Sequence, residues 1–111
     1  EGLMLRLMRE SEDKAVKQAA VRSIKKVAVP GCEEVLRELI TCTRESCWRV
    51  RMAAVDAIIV LCEGGQSSLS IRGECLEALL AVLEEDGQLL VRERSAVALR
   101  KVGRRGQVDM E

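Results

Sequence analysis

The 111-residue chain contains no histidine, no phenylalanine and no tyrosine, and its single tryptophan, Trp48, is the only aromatic residue. Without histidine, acid and base chemistry at neutral pH loses its commonest side chain, and zinc or iron sites built on imidazole are excluded. The five cysteines, Cys32, Cys42, Cys47, Cys62 and Cys75, are an odd number with no CxxC pair, so a four-cysteine zinc site lacks its short paired spacings. They are expected to be free thiols packed as small hydrophobes in a reducing, intracellular compartment, cytoplasmic or nuclear, with a redox or metal role as the alternative. No apolar run approaches the roughly 20 residues needed to cross a bilayer. The first ten residues, EGLMLRLMRE, interrupt their apolar positions with charge and lack an initiator Met, which reads as a cut end rather than a signal peptide.

Charge of one sign is also missing. The 18 basic and 18 acidic residues cancel, so net charge offers no argument for nucleic acid or an anionic membrane. Gly64-Gly65 lacks the following Lys-Ser or third glycine of a phosphate loop. Glu33-Glu34 and Glu84-Glu85 are adjacent, so on a helix they point about 100° apart, as solvated faces do rather than catalytic pairs. No enzymatic activity, cofactor, metal or small-molecule substrate is expected.

What the chain has is aliphatic residues and repetition. A hydrophobic content of 48% is enough for a core, which Leu, Val, Ile, Ala, Met and Cys must fill. Three dodecamers recur without a gap: VKQAAVRSIKKV at 16–27, VRMAAVDAIIVL at 50–61 and VRERSAVALRKV at 91–102. Their apolar residues fall at i, i+4, i+8 and i+11, as in Val16, Ala20, Ile24 and Val27, which follows one face of an α-helix. Small residues beside this stripe, such as Ala53-Ala54 and Ser95-Ala96, permit close helix packing.

A second amphipathic segment precedes each dodecamer: GLMLRLMRE, CEEVLRELITCT and GECLEALLAVLEE. The repeating unit is thus a helical hairpin, helix A then helix B, at spacings of 34 and 41 residues, within the range of helical solenoids. Pro30-Gly31 ends the first unit, and Glu63–Ser68 forms the one obvious surface loop. The tail from Gly103 to Glu111 is expected to fray.

These hairpins resemble HEAT repeats. In that family an acidic residue in the A–B turn lies six positions before a basic residue early in helix B, a pattern matched here by Glu45 with Arg51 and Asp86 with Arg92. The first unit departs from it: Ser11 stands six before Lys17, with Glu12 or Asp13 the nearest substitutes. The resemblance covers about residues 2 to 103. It implies an all-α, right-handed α-solenoid of three hairpins, about 2–28, 31–62 and 71–103, forming one domain and cut from a longer stack. It further implies that the turn acids cap helix B while the basic residues reach the neighbouring hairpin.

Charge is uneven along the chain. The first B segment carries Lys14, Lys17, Arg22, Lys25 and Lys26 with no acid, and the last carries Arg92, Arg94, Arg100, Lys101, Arg104 and Arg105 against Glu93. Residues 63–87 are acidic apart from Arg72. If B helices line the concave face, that face is basic. The middle copy interrupts it: Lys14 aligns with Trp48 and Leu89, Gln18 with Met52 and Glu93, and Lys25 with Ile59 and Arg100. Either this central helix is buried on more sides or it presents an apolar patch.

The expected function is a scaffold that holds a segment of a partner protein on the B-helix face. Trp48, Met52 and Ile59 would be its anchors, and Lys14, Lys25, Arg100 and Lys101 would select acidic residues. Nucleic-acid backbone binding on the same face is the alternative, and a structural spacer a third reading.

Overall fold

The computed structural model describes residues 2–63 and 67–108. Among them there are six helices and no strand: α1 (Gly2–Glu10), α2 (Lys14–Val27), α3 (Glu33–Cys42), α4 (Trp48–Cys62), α5 (Leu69–Glu85) and α6 (Leu89–Val108). Local chemistry sets their ends. Asp13 caps α2, its Oδ1 accepting from the amides of Ala15 at 2.9 Å and Val16 at 3.4 Å, which satisfies donors a helix start leaves open. Ser68 does the same for α5 through the Ile71 amide at 3.2 Å. After α2, Gly31 adopts a φ of 82°, a left-handed conformation suited to glycine, and its amide donates to the Leu61 carbonyl at 3.1 Å. The first linker is thereby tied to the end of α4.

Of the Glu63–Ser68 loop, Gly64–Gln66 lie outside the described residues. The tail departs from expectation: α6 continues through Gly103 to Val108. Isolated glycines cost a helix only about 1 kcal/mol each, too little to end one whose preceding turns are packed.

The helices form two layers. α1, α3 and α5 pack in sequence as the A layer, α2, α4 and α6 as the B layer, and each hairpin closes across the gap between them. This is an α-solenoid of three helical hairpins. The A helices give Leu5, Met8, Val35, Leu36, Leu39 and Leu79 to the core, and the B helices give Val21, Ile24, Val50, Ile58, Leu61 and Val102. Ser95, buried in α6, donates its Oγ to the Leu79 carbonyl at 2.5 Å, a contact only a small side chain permits.

α4 is the centre of the stack. It packs against α2 and α6 within its layer and against α3 and α5 across it, and nine of its residues are buried. Its all-round apolar character is therefore chiefly burial on several sides. Ile59, expected as a surface anchor, is 7% exposed and belongs to the core. The aligned Lys25 and Arg100 lie on the outer helices of the layer, where the same position opens to water.

Candidate partner-binding grooves on the B layer

At two of the A–B turns, ion-pair rungs tie basic residues of one hairpin to the turn acid of the next. In the first, Glu45 in the second A–B turn receives Lys17 Nζ at 2.7 Å and Lys14 Nζ at 2.8 Å, both from the preceding hairpin. In the second, Arg51 pairs with both oxygens of Asp86, Nε to Oδ2 at 2.6 Å and Nη2 to Oδ1 at 3.0 Å. Its Nη1 donates to the carbonyls of Glu45 and Ser46. The basic residue of one hairpin thus reaches the acid of the next, while its own turn offers it backbone. Arg92, the third member of the series, instead turns back to the Leu83 carbonyl at 2.9 Å.

The capping role expected of the turn acids holds in part. Asp86 accepts from the Gln88 amide at 2.9 Å, ahead of α6, whereas the hydrogen bonds of the Glu45 carboxylate come from the two lysines. In the first turn Asp13 supplies the cap that Ser11 does not. Burial pushes the Asp86 carboxyl up, but the hydrogen bonds from Arg51 and Gln88 and the charges of Arg51 and Arg92 together hold it below its usual value. Hydrogen bonds from Lys14 and Lys17 hold Glu45 below its usual value against the opposing effect of burial.

Two open grooves run beside α4. The first, of about 270 Å³ between α2 and α4, is lined by Gln18, Arg22, Lys25, Trp48, Arg49, Met52, Ala53 and Asp56. The second, of about 360 Å³ between α4 and α6, is lined by Met52, Leu90, Glu93, Arg94 and Val97. Met52 belongs to both and forms the ridge between them. The Arg49 guanidinium lies over the Trp48 ring, 4.8 Å from its centroid, a cation–π arrangement that leaves the ring half-buried. Asp56, the carboxylate of the first groove, is taken up by Arg94 at 2.9 Å. That groove therefore combines an apolar floor of Trp48, Met52 and Ala53 with the cations Arg22, Lys25 and Arg49, which have no ion pair among the described residues.

Of the residues the sequence singles out, the structure brings Trp48, Met52 and Lys25 into one groove. Lys14 is committed to Glu45. Lys101 approaches Glu63 at 3.7 Å, and Arg100 is exposed on α6 away from both grooves. With Lys17, Arg51 and Arg94 also paired, the basic stripe is neutralised in part by neighbouring hairpins. The side chains of Arg104 and Arg105 lie outside the described residues. The groove linings also include Arg49, Asp56, Leu90 and Val97, which the sequence did not single out, and Arg22, which it placed only among the basic residues of the first B segment. Gln18, Arg22 and Lys25 share the i, i+4, i+7 spacing of one helix face, and that signal was available.

All five cysteines are free thiols. Among the described residues no three Cys, Asp or Glu side chains converge as metal ligands do, and no helix is long and apolar enough to cross a membrane.

A family model for HEAT repeats matches residues 1–71, well over half of the chain. The chain belongs to the HEAT-repeat family. Members of that family commonly serve as protein-interaction scaffolds and are generally not enzymes. The third hairpin lies beyond most of the matched segment, and the Arg51–Asp86 rung and the packing of α6 on α4 attach it to the rest. No curated protein and no solved structure matches the chain.

Proposed function

We propose that the B layer binds a segment of a partner protein that carries acidic residues beside apolar ones. The apolar side chains occupy the grooves on either side of Met52, and the acidic ones meet Arg22, Lys25 and Arg49. The observation that carries this reading is the composition of the α2–α4 groove: an apolar floor under cations whose one facing carboxylate, Asp56, already belongs to Arg94. A bound carboxylate gains charge-assisted hydrogen bonds there without displacing an internal one. Arg100 and Lys101 extend the positive edge towards the end of α6, Lys101 by giving up its long contact with Glu63. The binding is non-enzymatic, and five free thiols suit a reducing, intracellular setting.

The nucleic-acid alternative is less well supported, because Lys14, Lys17, Arg51 and Arg94 are spent on internal carboxylates and the lone tryptophan offers no row of stacking faces. A titration decides. A 15-residue peptide alternating glutamate and leucine at helical spacing should change Trp48 emission saturably. Duplex DNA at 150 mM salt should not. Saturable DNA binding that weakens steeply with salt, together with silence from the peptide, would reverse the assignment.

A further inference from the structure

The two grooves beside α4 leave opposite charges unspent. On the α2 side the unspent charges are the cations Arg22, Lys25 and Arg49, because the carboxylate that faces them, Asp56, is held by Arg94 at 2.9 Å. On the α6 side the order is reversed. Arg94 is neutralised there by Asp56, whereas Glu93, exposed at the rim, has no ion pair among the described residues. The basic neighbours of Glu93 in the chain are turned to other acceptors, Arg94 to Asp56 and Arg92 to the Leu83 carbonyl at 2.9 Å.

Between these charges lies an apolar saddle. Met52 is shared by both grooves, and Leu90, 55% exposed, and Val97 continue it on the α6 side. Gln18, Met52 and Glu93 hold the same position in the three repeated dodecamers, so one row crosses the layer from an amide through a thioether to a carboxylate. Packed neighbouring helices stand about 8–10 Å apart, and the centres of the two grooves are separated by about as much. Along an α-helix, at about 1.5 Å per residue, that distance is close to seven residues, or two turns, which return to the same face.

We propose that the partner segment is a helix read by charge order as well as by apolar contact: an acidic residue at i on the α2 side, apolar residues at i+3 and i+4 astride Met52, and a basic residue at i+7 meeting Glu93. This rests on the α2–α4 groove holding the acidic side chain. The cations select that acid, and Glu93 selects against a second one, since an acid at i+7 would stand beside an unpaired carboxylate. The surface thereby separates amphipathic helices of mixed charge from uniformly acidic ones. A nucleic-acid backbone, with charge of one sign, satisfies only one of the two grooves.

The test titrates the intact chain with two labelled, 15-residue helical peptides, read by their anisotropy and by Trp48 emission. One carries Glu at i, Leu at i+3 and i+4 and Lys at i+7; the other has Glu in place of that Lys. The parent should bind the Glu–Lys peptide at least about fivefold more tightly, as one exposed ion pair and one avoided repulsion allow. Glu93→Gln should bring the two affinities within about twofold of each other, and Glu93→Lys, at an exposed position, should fold and invert the preference. Equal affinities in the parent, or a preference that Glu93→Lys leaves unchanged, overturn the charge order. If both peptides still lose affinity for Lys25→Glu, the groove reading stands without it. Failure of both peptides to bind overturns the two together.

Discussion

Arg51 of the second hairpin grips both oxygens of Asp86 in the third, at 2.6 and 3.0 Å, with the carboxylate side chain only 4% exposed. The two residues stand 35 positions apart, about one repeat, and the fork of the guanidinium fits the carboxylate as an ammonium would not.

Replacing Arg51 with Ala leaves Asp86 without its main partner in a nearly closed site. The expected loss is about 2–4 kcal/mol, between the values typical of surface and of buried pairs. At this chain length that lowers Tm by roughly 10 °C or more. Arg37, half-exposed between Glu33 and Glu74, should cost far less when replaced. Thermal melts of the two alanine variants check this, and equal shifts would refute the rung.

The rungs also set an acid limit. Asp86 and Glu45 both titrate below their ordinary values in the folded chain. A depressed folded pKa contributes stability that is present above the unfolded pKa, about 4 for carboxylates, and is lost as pH falls through the folded value. Urea midpoints should be level near neutrality and fall below about pH 4. The double variant Asp86→Asn, Glu45→Gln should start lower at pH 7 and lose less on acidification; an unchanged acid limb would contradict this origin.

Ile59 offers a test of position in the stack. Its counterparts are Lys25 and Arg100, yet Ile59 itself is buried where α4 is covered on both sides of its layer. Ile59→Lys, which makes the three copies more alike, should cost several kcal/mol or unfold the chain, because it buries an unpaired charge. Lys25→Ile should leave Tm within a few degrees. A stable Ile59→Lys variant would place that side chain at the surface.

Thiol reactivity should follow position too. Cys47, the N-cap of α4, makes no cap hydrogen bond within the usual limits, but the nearby Val50 amide, followed by the Arg49 amide and the charges of Arg49 and Lys14, keeps it below its ordinary value against burial. Cys42, by contrast, is buried and pushed up to about 12, chiefly by desolvation. Iodoacetamide at pH 7 should label Cys47 well before Cys42, and mass spectrometry of timed samples reads the order. Equal labelling in the folded chain would contradict it.

The helical hairpins were legible because three dodecamers repeat one packing face, and Pro30-Gly31 and the turn acids punctuate them. The partner of each charge was less so. The basic residues were expected to reach the neighbouring hairpin, and Lys17 and Arg51 do so, but that each would meet the turn acid of the next hairpin follows from the stacking geometry, which sets Lys17 against Glu45 and Arg51 against Asp86. Ile59 was misplaced because alignment of copies assumes equal surroundings, which a stack of three hairpins denies to its middle member. Arg72 drew no notice as a lone basic residue in an acidic stretch; only its burial singles it out.

The groove assignment is tested most directly by panning a displayed library of random 15-residue peptides on the parent chain and on the double variant Met52→Glu, Lys25→Glu. Peptides enriched on the parent should join acidic to apolar residues and lose at least tenfold in affinity for the variant, equivalent to about 1.4 kcal/mol. Enriched peptides that bind both chains equally, with the variant folded by its thermal melt, would put the binding surface elsewhere.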